Sequence, residues 1–187
     1  MDFAHRPPVT SALVILLGAV SASVNLNLLS ERHVVFQMSR ILSGDAWRLG
    51  SLFYCGGLII FIVTLPDVLS SSSWLETMYY RNSRSYLLVL CVLGIVSMMA
   101  CSVSGYPFAS QPFLLALNYL EFRQNYRGHM VMLYQTLFRL LFSSLTMFDR
   151  TYFGANAIAL LATHLIYYIQ DVLPRTSGVD LLKRLKR

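Results

Sequence analysis

Residues 85–103 read SYLLVLCVLGIVSMMACSV, a run without a charged side chain. A helix needs about 17–25 mainly apolar residues to cross the hydrocarbon core of a bilayer, so this stretch reads as a membrane span. Five further runs of the same kind surround it, at about 9–29, 49–69, 107–122, 130–148 and 155–173. Of the 187 residues, 56% are hydrophobic and 13% charged, and the mean hydropathy is +0.55. A soluble domain of this size cannot bury so much apolar surface, so the composition points to an all-α, polytopic membrane protein with six helices. The 107–122 run is the shortest and carries Gln111, Pro112 and Asn118, which makes it the weakest of the six by hydropathy.

At the amino end, His5 and Arg6 precede the first apolar run, and Ser21, Ala22 and Ser23 lie where a signal peptide would be cut. The run continues to Leu29, however, and is read as a retained span. Residues 1–173 then form one transmembrane domain, and 174–187 (PRTSGVDLLKRLKR) a short basic cytosolic tail that opens on a helix-stopping Pro174. Basic residues set the orientation, because Lys and Arg collect on the cytoplasmic side. Arg6, Arg81, Arg84, Arg123, Arg127, Arg175, Lys183, Arg184, Lys186 and Arg187 fall on one side, against Arg32, Arg40, Arg48 and Arg150 on the other. Both termini are therefore expected in the cytosol. The net charge of +6 is spread over short loops and the tail, a pattern of topology control and contact with the lipid bilayer, with no nucleic-acid partner expected. Cys55, Cys91 and Cys101 show no metal-ligand spacing and read as packing residues; no metal or other cofactor is expected.

In the first loop, Val34, Val35, Met38, Ile41 and Leu42 recur at helical spacing with Arg32, Gln37 and Arg40 off that stripe. This predicts one interfacial helix, with Ser30 as its N-cap, Gly44 as its stop and Asp45 capping the second span. Residues 70–84, SSSSWLETMYYRNSR, read as a polar cytosolic loop.

Polar groups at bilayer depth are costly, about 2.5–3.5 kcal/mol for a central Arg, and are the places to look for function. Arg139 sits near the middle of the fifth span with Gln135, Ser143 and Thr146 on its face. Asn156, Thr163 and Gln170 recur at sevens in the sixth, with His164 near its centre, and Gln111 and Asn118 do so in the fourth. Three polar stripes on successive helices either bond one another across packed helices or, more easily, share a wet cavity, of which Gln111, Asn118, Gln135, Arg139, Ser143 and His164 are the candidate lining. Ala155, Ala159 and Thr163 form a small-residue series that permits close helix packing, as do Gly18 and Ala22.

Several short motifs resemble the derlin family, inactive relatives of the rhomboid proteases. Pro8-Val9-Thr10 resembles the family's opening, Trp47-Arg48 its first-loop motif, and Ser72 with Leu75-Glu76 the latter part of its second-loop motif. Tyr106-Pro107-Phe108, Asn118-Tyr119 and Arg123-Gln124-Asn125 resemble its fourth span. His164-Leu165-Ile166-Tyr167-Tyr168 followed by Asp171-Val172-Leu173-Pro174 resembles its most recognisable signature, which Gly178-Val179-Asp180-Leu181 continues. Ser71 stands where the family usually has Tyr, and Thr163 where it has Gly. The resemblance implies a rhomboid-like six-helix bundle in the endoplasmic reticulum membrane that assists retrotranslocation of misfolded lumenal or membrane proteins for degradation, beside a membrane ubiquitin-ligase complex. The sequence ends at Arg187 without the family's ATPase-recruiting tail motif, so an AAA ATPase is expected as an indirect partner.

A rhomboid protease needs a nucleophile in Gly-x-Ser-Gly and a His base. Ser110 is flanked by Ala109 and Gln111, and Ser104-Gly105 has only half the motif, so no catalytic residue is assigned and a pseudoprotease is expected. The alternatives are an active rhomboid intramembrane serine protease and a small channel or transporter, the latter disfavoured by the lack of inverted repeats.

Overall fold

The most apolar stretch forms its helix between two local signals. The Asn82 side chain accepts the Arg84 N–H at 3.0 Å to start it. Gly105, at φ +76°, ends it in the left-handed conformation that glycine adopts without strain, with its N–H on the Cys101 carbonyl at 2.8 Å. This is α5, Ser83–Ser104. The computed structural model describes residues 7–80, 82–125 and 150–177. Around α5 it contains α1 (Pro8–Asn25), α2 (Glu31–Val34), α3 (Met38–Leu42), a 3-10 segment (Ala46–Phe53), and α4 (Leu58–Trp74), which runs on as a π-helical segment (Leu75–Tyr80). Beyond α5 lie α6 (Ser110–Gln124) and α7 (Arg150–Tyr167), and α7 continues through a π segment (Tyr168–Val172) into α8 (Leu173–Ser177).

Four stretches are long and apolar enough to cross a membrane: Pro8–Asn25, Leu58–Thr77, Ser83–Ser104 and Arg150–Thr176. The chain is a multi-pass, all-helical membrane protein among its described residues. The fifth expected span, 130–148, lies outside them, as do Gln135, Arg139 and Ser143. In α6, the fifteen residues measure about 22 Å, less than the ~30 Å hydrocarbon core. It is the hub of the bundle instead, packing on α4, α5, α7 and the 3-10 segment, with Phe113, Leu117, Leu120 and Glu121 buried.

Several expected boundaries are corrected. The first span ends at Asn25, four residues short of Leu29. The second runs Leu58–Thr77 where 49–69 was expected, because Ala46–Phe53 forms a separate 3-10 turn and Gly56, at φ +90°, turns the chain before α4 begins. The supposed polar loop after Ser70 is helical as far as Tyr80. Its polar residues Ser71, Ser72 and Glu76 are buried, so they have partners across the bundle and do not face water. The single first-loop helix is replaced by α2 and α3, separated by extended Val35 and Gln37. Asp45 makes no side-chain cap; it contacts Arg48 at 3.5 Å. Pro174 does not stop the sixth span either: the helical stretch Arg150–Thr176 runs past it, and the π segment Tyr168–Val172 closely precedes it.

Packing is close where small residues meet. A Cβ on Gly18 would lie 3.2 Å from the Phe61 ring, which brings α1 tightly against α4. On α7, Ala155, Ala159 and Thr163 are all fully buried, and the helix packs against both α5 and α6. Ala159→Leu should overpack this contact and lower stability by about 1–3 kcal/mol. The check is the thermal unfolding midpoint of the purified protein in mild detergent; an unchanged midpoint would mean that α7 does not lie this close to its neighbours.

Candidate functional site

The first turn of α1 leaves backbone donors that need partners. Pro8 has none to offer, and Ser11 donates to the Pro7 carbonyl at 3.1 Å. The other two, Val9 and Thr10, donate to the two oxygens of Glu76 at 3.1 and 2.7 Å. The Glu76 carboxylate, only 3% exposed, thus caps the positive end of a helix 66 residues away. It also accepts the Thr10 hydroxyl at 2.8 Å and the Ser83 hydroxyl at 2.9 Å. The network continues from Thr10 to the Ser72 hydroxyl (2.9 Å) and from Ser72 to the Tyr86 hydroxyl (2.6 Å). Leu75 is fully buried beside it. Pro8-Val9-Thr10 and Ser72–Leu75–Glu76, far apart in sequence, are therefore two halves of one junction joining α1, α4 and α5.

Arg48 holds the first loop at the opposite end of α1. It is 5% exposed, and its guanidinium donates to the carbonyl of Val35 at 2.8 Å and of Arg32 at 3.4 Å, the C-terminal carbonyls of α2. Its neighbour Trp47 points the other way and is 58% exposed. Tyr54 ties the same region to the chain beyond, donating to the Gly56 carbonyl (2.9 Å) and the Glu31 carboxylate (3.2 Å). Burial, and then the Glu31 charge, push its phenol above the ordinary value.

The polar residues of α6 and α7 are arranged by a parallel register. Tyr119 meets His164 (OH to Nδ1, 2.7 Å), Arg123 lies 4.8 Å over the Tyr167 ring, and Gln124 donates to Asp171 at 3.2 Å. Tyr106 packs edge-on against Tyr152. Partners thus differ by 44 to 47 in sequence. Ser110 is level with Ala155 and Asn156, and His164 lies about nine residues, ~13 Å, further along. A nucleophile and its base need a contact of about 3 Å. Ser110 is instead fully buried, its hydroxyl donating to the Tyr54 carbonyl. Ser104 donates to the Ala100 carbonyl at 2.8 Å and sits beside Gly154, ten residues before His164.

Of the expected polar lining, Tyr119 and not its neighbour Asn118 receives His164. Gln111 and Asn118 are half-buried, and the Asn118 Oδ1 is buried without a partner among the described residues, as is the Asn156 Oδ1. Three buried carboxylates are not legible as such in the sequence. Glu76 stands there only as a motif residue, and nothing marks Glu121 (1% exposed) or Asp171 (6%) as buried. Glu121 accepts the Ser71 hydroxyl at 3.0 Å, and Tyr80 reaches Gln170 at 3.2 Å beside Asp171.

A family model described as the Der1-like family matches residues 6–184. The chain belongs to the Der1-like family. No match was found among curated proteins or among solved structures. Der1-like proteins are in general pseudoproteases, and the separation of Ser110 from His164 in this Der1-like chain agrees with that. Glu76→Ala strips two backbone N–H groups and two hydroxyls of a charged acceptor and should cost about 3 kcal/mol, whereas Glu76→Gln, which keeps the shape, should cost less than half of that. Denaturant or thermal unfolding in detergent reads both; equal and negligible losses would show that the junction is not under load.

Proposed function

We propose that this Der1-like protein is a non-catalytic component of endoplasmic-reticulum-associated degradation that helps misfolded proteins leave the lumen or the membrane for the cytosol. The observation that carries the reading is the family match over residues 6–184. The short central α6 supports it, because a ~22 Å helix at the centre of the bundle favours a locally thinner bilayer and so lowers the cost of moving polar segments across. Unpaired buried oxygens on Asn118 and Asn156 favour water on that side of the bundle. Gln111, Gln135, Arg139, Ser143 and His164 are proposed to share it, and Trp47-Arg48 to hold the first loop at the lumenal surface. Both termini face the cytosol in this reading, a membrane ubiquitin-ligase complex is the working partner, and an AAA ATPase is reached through it.

In cells lacking the endogenous protein, the wild-type chain should restore turnover of a misfolded lumenal glycoprotein in a chase experiment, and Trp47→Ala and Arg139→Leu should each slow it. If both variants degrade the substrate at the wild-type rate, the assigned roles are wrong. A fluorophosphonate probe should leave Ser110 and Ser104 unmodified; labelling of either that disappears in His164→Ala would establish the protease alternative instead.

A further inference from the structure

An apolar crevice of about 440 Å³ opens on the outer face of the bundle between α1 and α5. Its walls are Ala12 and Leu16 on one side and Leu87, Cys91 and Ile95 on the other, with Phe53 of the 3-10 segment as its floor. It exists because α1 packs chiefly on α4, while the 3-10 segment wedges between α1 and α5, Leu52 approaching the Gly94 position to 3.5 Å. Both walls belong to stretches that cross the membrane, so the crevice faces hydrocarbon.

Its length and its mouth identify an occupant. From Leu87 to Met98 it follows eleven residues of α5, about 16 Å, which is one leaflet of a ~30 Å hydrocarbon core. A cavity of ~150 Å³ accepts a benzene, so 440 Å³ has room for a long aliphatic chain. On α5, Arg84, Leu87, Cys91, Ile95 and Met98 follow one another at spacings of three and four and share a face. Arg84 therefore stands at the polar end of the crevice, exposed, and its guanidinium has no partner among the described residues. We propose that this crevice is a binding site for an anionic glycerophospholipid of the leaflet at the Arg84 end, one acyl chain lying between α1 and α5 and the phosphate meeting Arg84. A second copy of the chain or a client helix would have no use for a cation at the end of a leaflet-long slot.

The full chain, reconstituted in vesicles of phosphatidylcholine with a tracer of photoactivatable phosphatidylserine carrying a diazirine on its acyl chain, tests this by peptide mapping of the crosslinks. Labelling is expected to concentrate on Leu87–Met98 and Ala12–Leu16, several-fold above the exposed Leu161 and Leu165 of α7. Ala12→Trp and Cys91→Trp, which fill the crevice from opposite walls at exposed positions, should each abolish the excess. Arg84→Gln should reduce the preference for phosphatidylserine over phosphatidylcholine probes by about fivefold while leaving chain labelling in place. Equal labelling of crevice and α7, an excess that survives both tryptophans, a headgroup preference indifferent to Arg84→Gln, or a Cys91-linked dimer formed at the expense of lipid labelling would each overturn the proposal. Cys91 reports the last outcome cleanly, since Cys55 and Cys101 are buried.

Discussion

The bundle hangs on a carboxylate that ends one helix and begins another. Glu76 lies on the π-helical continuation of α4, and the donors it satisfies belong to the first turn of α1. Glu76 meets the α1 terminus from just inside this π segment, while Ser72, four residues earlier on the same side, reaches Thr10 and Tyr86. Removing such a group from water would be prohibitive without compensation. Compensation comes from two helices: α1 supplies two N–H groups, the Thr10 hydroxyl and the positive end of its dipole, and α5 the Ser83 hydroxyl. The relative placement of α1, α4 and α5 then fixes what lies between them, including the crevice and the seat of α6.

At the other membrane face the same logic runs with the sign reversed. Arg48 delivers its charge to carbonyls at the C-terminal end of α2. In the first loop α3 has no buried residue, and the apolar anchors are Val34 and Phe36, the latter packed with Cys101, Ala109 and Ala155. Its backbone is pinned in addition by one buried cation, while the adjacent Trp47 lies at the surface. Two adjacent residues of one motif thus do opposite jobs, and substitution of either affects a different property of the loop.

Much of this was legible in the sequence, and the rest was hidden for specific reasons. Hydropathy located α5 to within two residues at either end, because nothing polar interrupts it. It misread the second span because Leu49–Cys55 is apolar enough to read as the beginning of the run that continues into α4; the Gly56-Gly57 pair was the available sign of a break. It misread 70–80 because serines and a glutamate look hydrophilic wherever they point, although Ser72 and Glu76 at a spacing of four already suited a helix face. The motifs marked the family, yet nothing in a linear reading joins Thr10 to Glu76. The Tyr119–His164 and Arg123–Tyr167 pairs depend on the register between α6 and α7, some 45 residues apart in sequence, for which one sequence carries no signal.

The two pinned charges also differ in when they can form. Arg48 finds its carbonyl acceptors 13 and 16 residues back, so the first loop can close as soon as it has been made. Glu76 is separated from Thr10 by 66 residues, and the helix that carries it must already stand in the bilayer before the contact exists. During synthesis the first helix is therefore inserted with its amino-terminal donors held by water alone, and the arrival of the second helix exchanges that water for a buried carboxylate. Assembly is ordered in time by the same contact that orders the helices in space.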